Sequence, residues 1–179
     1  DIAVSRGLGD VYKRQIISPG PGSPDKKEYF GNCQDIILKL GKSIPILGIC
    51  LGMQGIVHSF GGKIIHAKEP MHGKISFLLH DEKGIYEKIP QNIEIMRYHS
   101  LVVDIETLPD CFDINGISQE NDNENNILEI KQITPNCEIM AISHKIYPIY
   151  GIQYHPESFG SEGGIEILQN FLLNDNGAK

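Results

Sequence analysis

No apolar run in this 179-residue chain approaches the roughly 18–20 residues needed to span a bilayer, so no membrane partner is expected. No basic, then apolar, then small-residue N-terminus reads as a signal peptide. A basic face for a phosphate backbone is also missing. Sixteen Lys and Arg stand against 23 Asp and Glu, a formal net charge of -7, and no nucleic-acid partner is expected. Four cysteines (Cys33, Cys50, Cys111, Cys137) contain no CxxC pair, and the seven histidines have no metal-ligand spacing. That excludes a zinc site or a disulfide frame and points to reduced thiols in the cytoplasm. There is no internal repeat and no linker. What remains is a globular composition, 40% hydrophobic and 22% charged, in a length that suits one domain.

The coherent pattern begins at Ile16-Ile17 and stops at the breaker cluster Pro19-Gly20-Pro21-Gly22. Ser23 as N-cap, Pro24 in the first turn and Gly41 as C-cap predict a single helix carrying Phe30, Cys33, Ile37 and Leu40. Residues 44–49 (IPILGI) read as a strand buried on both faces of a parallel sheet. A helix follows Cys50 and ends at Gly61-Gly62. Short β-like runs then occur at 63–66, 75–79, 93–96, 111–118, 127–133, 138–143 and 149–154, with a polar hairpin loop over 119–126. A last helix over 162–173 places Ile165, Leu168 and Leu172 on one apolar stripe. Strand–helix alternation followed by many strands predicts an α/β core with an antiparallel extension.

Three segments carry chemistry. Gly48-Ile49-Cys50-Leu51-Gly52 has the form of a nucleophile elbow. A strand-to-helix turn pushes the cysteine out of the sheet edge, and the flanking glycines let neighbouring backbone pass closely. The helix N-terminus is expected to favour thiolate over thiol. The Leu51 N–H stands beside the sulfur, able to bond an oxyanion. The alternative is an ordinary buried cysteine; Cys33, Cys111 and Cys137 are assigned to packing. In Tyr154-His155-Pro156-Glu157-Ser158, Pro156 keeps the chain extended at His155, so Glu157 can reach the imidazole and orient it. The alternative is a surface His and Glu in a turn. The loop at Gly20–Gly22 follows a strand and precedes a helix, and the Gly22 N–H can supply a second oxyanion donor. Its alternative is a plain rigid turn.

PGPG, GICLGMQ and YHPES, in that order, resemble the class I (triad) glutamine amidotransferases. MHGK (residues 71–74) and RYHSL (residues 97–101) narrow the resemblance to the small subunits of anthranilate synthase and aminodeoxychorismate synthase. The similarity runs from about Ile16 to Leu173. It implies a flavodoxin-like α/β fold, with a mostly parallel central sheet flanked by helices and a small antiparallel extension. It implies that Cys50, His155 and Glu157 are the catalytic triad. Gly20, Pro21, Gly22, Leu51, Gln54, Ser100 and Leu101 match positions that bind glutamine or its oxyanion, and the MHGK loop is placed near a partner. It implies glutamine hydrolysis, with ammonia passed to a large chorismate-using subunit for anthranilate. The alternatives are aminodeoxychorismate synthesis for folate, or an inactive fragment that only binds the partner. No cofactor is implied on this subunit; magnesium belongs to the large one. Met53 stands where the family usually has His. Residues 1–15 (DIAVSRGLGDVYKRQ) resemble translated sequencing-adapter read-through and are expected to be non-native. The amidotransferase domain is then 16–176, lacking the family's N-terminal strand and helix, which predicts reduced stability.

Overall fold

The computed structural model describes residues 14–119 and 137–173. The strand expected over 127–133, the loop over 120–126 and residues 1–13 lie outside the described residues.

Strand β1 (Gln15–Ile17) pairs in parallel with β2 (Ile46–Ile49), placing Ile17 opposite Gly48. β2 pairs in parallel with β9 (Ile149–Ile152), placing Ile49 opposite Ile152. Beyond β9 the sheet continues antiparallel through β8 (Ile139–His144), β7 (Phe112–Gln119), β4 (Lys74–His80) and β5 (Ile93–Arg97). A separate antiparallel ribbon joins β3 (Ile64–His66) to β6 (Leu101–Val103). The sheet is therefore α/β and mixed. Its antiparallel portion is larger than a mostly parallel sheet with a small extension implies. Connection length explains this: β1 reaches β2 through helices, as parallel pairing requires, whereas residues 145–148 alone join β8 to β9. Gln15, set apart with the first fifteen residues on sequence grounds, is the first residue of β1. Arg14 beside it donates Nε–H to the Leu172 carbonyl at 3.0 Å.

The first helical segment differs from the expected single helix. It is two pieces, α1 (Lys27–Phe30) and α2 (Cys33–Leu40), because Gly31 adopts φ +57° between them. Ser23 is not the N-cap. Its carbonyl accepts the Lys26 N–H in a turn, its hydroxyl serves Asp25, and Lys26 takes the cap position. Gly41 does cap the end, donating to the Ile37 carbonyl at 3.0 Å.

Helix α3 (Leu51–Ser59) follows β2 directly. Helix α4 (Gly164–Leu173) buries Gly164, Ile167 and Phe171, while Ile165 and Leu172 of the expected stripe are exposed and Leu168 is half-buried. The helix is apolar on most sides, so spacing alone does not select the face. Contact decides it: a Cβ at Gly164 would collide with the Pro156 carbonyl, so only glycine lets that face close on the 155–158 loop.

Side chains on the two faces of β2 enter different cores, as the period of two requires. Leu47 and Ile49 join Tyr86, Met140, Ile152, Tyr154, Ile167 and Phe171. Ile46 joins Ile17, Phe30, Ile37, Met53, Ile56 and Val57 under α2 and α3. Among the described residues no helix is long and apolar enough to cross a membrane.

Candidate active site

Cys50 sits one residue past β2 and one before α3, with φ 53° and ψ -105°. A non-glycine residue rarely holds a positive φ, and such strain concentrates at functional positions. The surrounding packing over-determines it. The Cys50 N–H donates to the Ile152 carbonyl of β9 at 2.7 Å, and its carbonyl accepts the Gln54 N–H at 3.1 Å. A Cβ at Gly48 would strike the Gly52 carbonyl, and one at Gly52 would strike the Ile17 carbonyl of β1. The G-x-C-x-G spacing thus reflects three backbones meeting at one corner.

The Cys50 thiol is buried, and burial pushes its pKa up to about 11. The Leu51 N–H draws it back down, the Glu157 charge raises it, and the Gln153 amide lowers it. The expectation that the helix N-terminus would leave a resting thiolate is corrected: desolvation outweighs the Leu51 amide, so the resting group is a thiol. A base must take its proton before it attacks.

His155 and Glu157 follow β9, the strand paired beside β2. β9 itself ends at Ile152, two residues short of the expected 154. His155 Nδ1 lies 2.8 Å from Glu157 Oε1, and His155 Nε2 is buried without a hydrogen-bond partner. With Nδ1–H donated to the carboxylate, Nε2 is the open acceptor. The loop is fastened at several points. The His155 N–H donates to the Met96 carbonyl at 3.0 Å, Ser161 Oγ–H donates to the His155 carbonyl at 2.6 Å, and the Met96 N–H donates to Ser161 Oγ at 3.0 Å. β9 and β5 are separated by three strands, so this bond requires the sheet to curl until its far edge meets the β9 loop. Tyr98, just past β5, then stacks edge-on against the His155 ring at 5.1 Å between centroids.

The Gly20–Gly22 loop abuts this corner. A Cβ at Gly20 would stand 2.9 Å from Leu51 Cδ2, and Gly22 takes φ +78° against the Tyr29 ring. Gln54 is buried and donates Nε2–H to the Leu101 carbonyl at 3.0 Å and to Gln153 Oε1 at 3.1 Å. Its bond to Leu101 brings the RYHSL segment to α3. The Ser100 carbonyl accepts the Ala67 N–H at 2.9 Å, tying the same segment to the β3 end. Met53 is fully buried in the core against Gly151, so its role here is packing.

The sequence model for the family described as glutamine amidotransferase class-I matches residues 6–174. The chain belongs to the class-I glutamine amidotransferases. A relative named anthranilate synthase component 2, from Leptospira biflexa, is 46% identical over 161 residues, covering 90% of this chain and 74% of that protein. A protein of the same name from Saccharolobus solfataricus is 45% identical over 162 residues, covering 89% and 74%. Among solved structures, a GMP synthase protein from Thermoplasma acidophilum superposes with a TM-score of 0.69. It is 27% identical and covers 88% of this chain and 69% of that one.

In this class-I amidotransferase Arg97, Tyr98 and His99 enter the sequence analysis only within the RYHSL segment, with no role of their own, and Gln153 does not enter it as a site residue. Arg97 is buried, ion-paired with Glu138, and donates Nη1–H to Ser76 Oγ at 3.0 Å. Its Nε–H donates to His99 Nε2 at 3.1 Å, so His99 carries its proton on Nδ1 and donates to the Leu101 carbonyl at 3.1 Å. The one available signal was a charge and an imidazole closing an apolar strand.

Burial, then the Arg97 charge, presses the His99 pKa down to about 3. The folded protein keeps this ring neutral while the unfolded chain protonates it near the ordinary histidine value. The unfolded state therefore binds the extra proton, and stability falls as pH drops from about 6.5 toward 3. Acidification from about pH 6.5 to 5 should cost about 2 kcal/mol through this ring alone. Melts across that range, compared with His99→Asn, check it: the variant should show the shallower acid slope, whatever its own baseline stability.

Proposed function

We propose that this amidotransferase is the glutaminase subunit of a two-part anthranilate synthase. It hydrolyses glutamine to glutamate and passes ammonia to a large, chorismate-using subunit. What carries the reading is one arrangement: a strained cysteine and a His–Glu pair at the ends of adjacent parallel strands. It occurs in a chain 45–46% identical to proteins named anthranilate synthase component 2.

The side chains divide the work as follows. His155 Nε2 takes the Cys50 thiol proton, and Sγ attacks the glutamine side-chain amide carbon. The tetrahedral oxyanion accepts hydrogen bonds from the Leu51 and Gly22 N–H groups. As it collapses, the C–N bond breaks and the proton on His155 leaves with ammonia. Water then gives a proton to His155 and its oxygen to the thioester carbon. The C–S bond breaks, the proton returns to sulfur, and glutamate leaves. Glu157 keeps the His155 tautomer and steadies the imidazolium. Gly20, Pro21, Gln54, Ser100 and Leu101 line the place of the glutamine itself. The chemistry needs no cofactor on this chain; magnesium belongs to the large subunit. The partner is that subunit, with no nucleic acid or membrane, and the work is cytoplasmic.

A glutamine-mimicking diazo-ketone tests the site. The expected result is one covalent adduct on Cys50, blocked by excess glutamine. Label spread over the other cysteines, or label indifferent to glutamine, would sink the assignment.

A further inference from the structure

Gln153 is fully buried in a strand end otherwise made of apolar side chains, one residue past the end of β9. Its backbone is fixed: the N–H donates to the Met140 carbonyl at 2.8 Å, and the preceding residue, Ile152, accepts the Cys50 N–H at 2.7 Å. Those two bonds set residue 153 beside the nucleophile. Its side-chain orientation is fixed too. Oε1 accepts from Gln54 Nε2 at 3.1 Å, and the same Nε2 is anchored on the Leu101 carbonyl at 3.0 Å. Pinning the oxygen leaves the amide nitrogen as the free end, and Gln153 Nε2 is buried with no hydrogen-bond partner in the resting protein. A buried donor left idle is costly and uncommon, and it invites a functional account. A neutral thiol is a weak acceptor and leaves such a donor unused, whereas a thiolate is a strong one.

We infer that Gln153 is a positioning residue for the nucleophile, its pinned amide turning N–H groups toward Cys50 to hold the sulfur as it passes from thiol to thiolate. The inference rests on Cys50 being the nucleophile proposed above. It assigns a task to a donor that the triad and the oxyanion pair leave unused. The interaction strengthens only as negative charge forms on sulfur, which is the condition for it to speed attack rather than merely tighten the resting site. It also gives Gln54 a second duty, holding the Gln153 oxygen. The effect on the thiol has the matching sign, since the Gln153 amide is one of the two groups that lower its pKa against burial.

Two variants test this in the full chain. Gln153→Glu keeps the oxygen that Gln54 needs and replaces the donor with a second oxygen. Gln153→Met keeps the volume and removes both groups. The readout is the rate of Cys50 alkylation by iodoacetamide as a function of pH, with melting temperature measured alongside. Relative to the unaltered protein, the midpoint should rise by about one pH unit in Gln153→Met and by more in Gln153→Glu, where a carboxylate faces the sulfur. Below the midpoint this reads as roughly tenfold slower alkylation at a given pH. A lower melting temperature with superimposable pH profiles would mean that Gln153 only packs, and would overturn the inference. Diazo-ketone labelling of the unaltered protein separates the two claims. If Cys50 labels while both variants keep its pH profile, only the role of Gln153 fails. If Cys50 does not label, the nucleophile assignment fails first and takes this inference with it.

Discussion

Replacing Cys50 by serine should abolish glutamine-dependent synthesis in the complex with the large subunit, by more than about 10,000-fold, while synthesis from added ammonium persists. The physical grounds are specific to this corner. The change alters one atom in a backbone held at φ 53° by its bonds to Ile152 and Gln54, so the fold has no reason to respond. The chemistry does. Burial already raises the thiol to about 11, and a hydroxyl is a weaker acid and a poorer nucleophile still, so at a corner shaped for the larger sulfur the same imidazole drives its attack far more slowly. Ammonium bypasses the step because it supplies the product of this subunit directly. Parallel assays with glutamine and with ammonium measure both halves. Loss of both would make Cys50 a structural residue and the functional reading wrong.

Gly52→Ala should lower the melting temperature by about 6–12 °C, through a loss of about 3 kcal/mol. The sign is the informative part. Gly52 lies in the first turn of α3, where alanine would ordinarily add about 1 kcal/mol of helix stability. Here the added Cβ would enter the Ile17 carbonyl, and the obstacle is backbone that cannot rotate aside. Either β1 moves away from α3 or the elbow shifts. β1 leads into the Gly20–Gly22 loop, so glutamine turnover should fall along with stability. Thermal melts followed by circular dichroism check the first effect. An unchanged or higher melting temperature would show that β1 does not press on the first turn of α3.

Parts of the site were legible because they are local. The Gly48-x-Cys50-x-Gly52 spacing encodes its own turn, since the glycines mark where backbone must approach backbone. His155 and Glu157 were legible as a pair, and the Nδ1–Oε1 distance is 2.8 Å, but the geometry is corrected: a turn closed by the Ser158 N–H on the His155 carbonyl at 3.1 Å, not an extended chain, brings them together. The buried run of β2 announced a strand covered on both faces, and Ile46 and Leu47 do enter opposite cores. Where local signals competed, spacing failed. Gly31 divided one expected helix into two, and Ser23 gave its hydroxyl to Asp25 rather than to a cap. In α4 the face was chosen by contact of Gly164 with Pro156, not by the apolar stripe.

From its sequence alone this protein was determined to carry a cysteine at a strand-to-helix corner, a histidine oriented by a glutamate, and a glycine loop with a free amide. Each depends on only a few neighbouring residues. Only the tertiary structure decided that β5 returns to hold the His155 loop through Met96, that Arg97 is buried against Glu138, and that the Gln54 and Gln153 amides meet. Those contacts join residues tens of positions apart, and they come from the curl of a seven-stranded sheet and from the packing of α3 against it. No periodicity along the chain encodes how far a sheet bends, because that is settled by the packing of every strand against its neighbours at once.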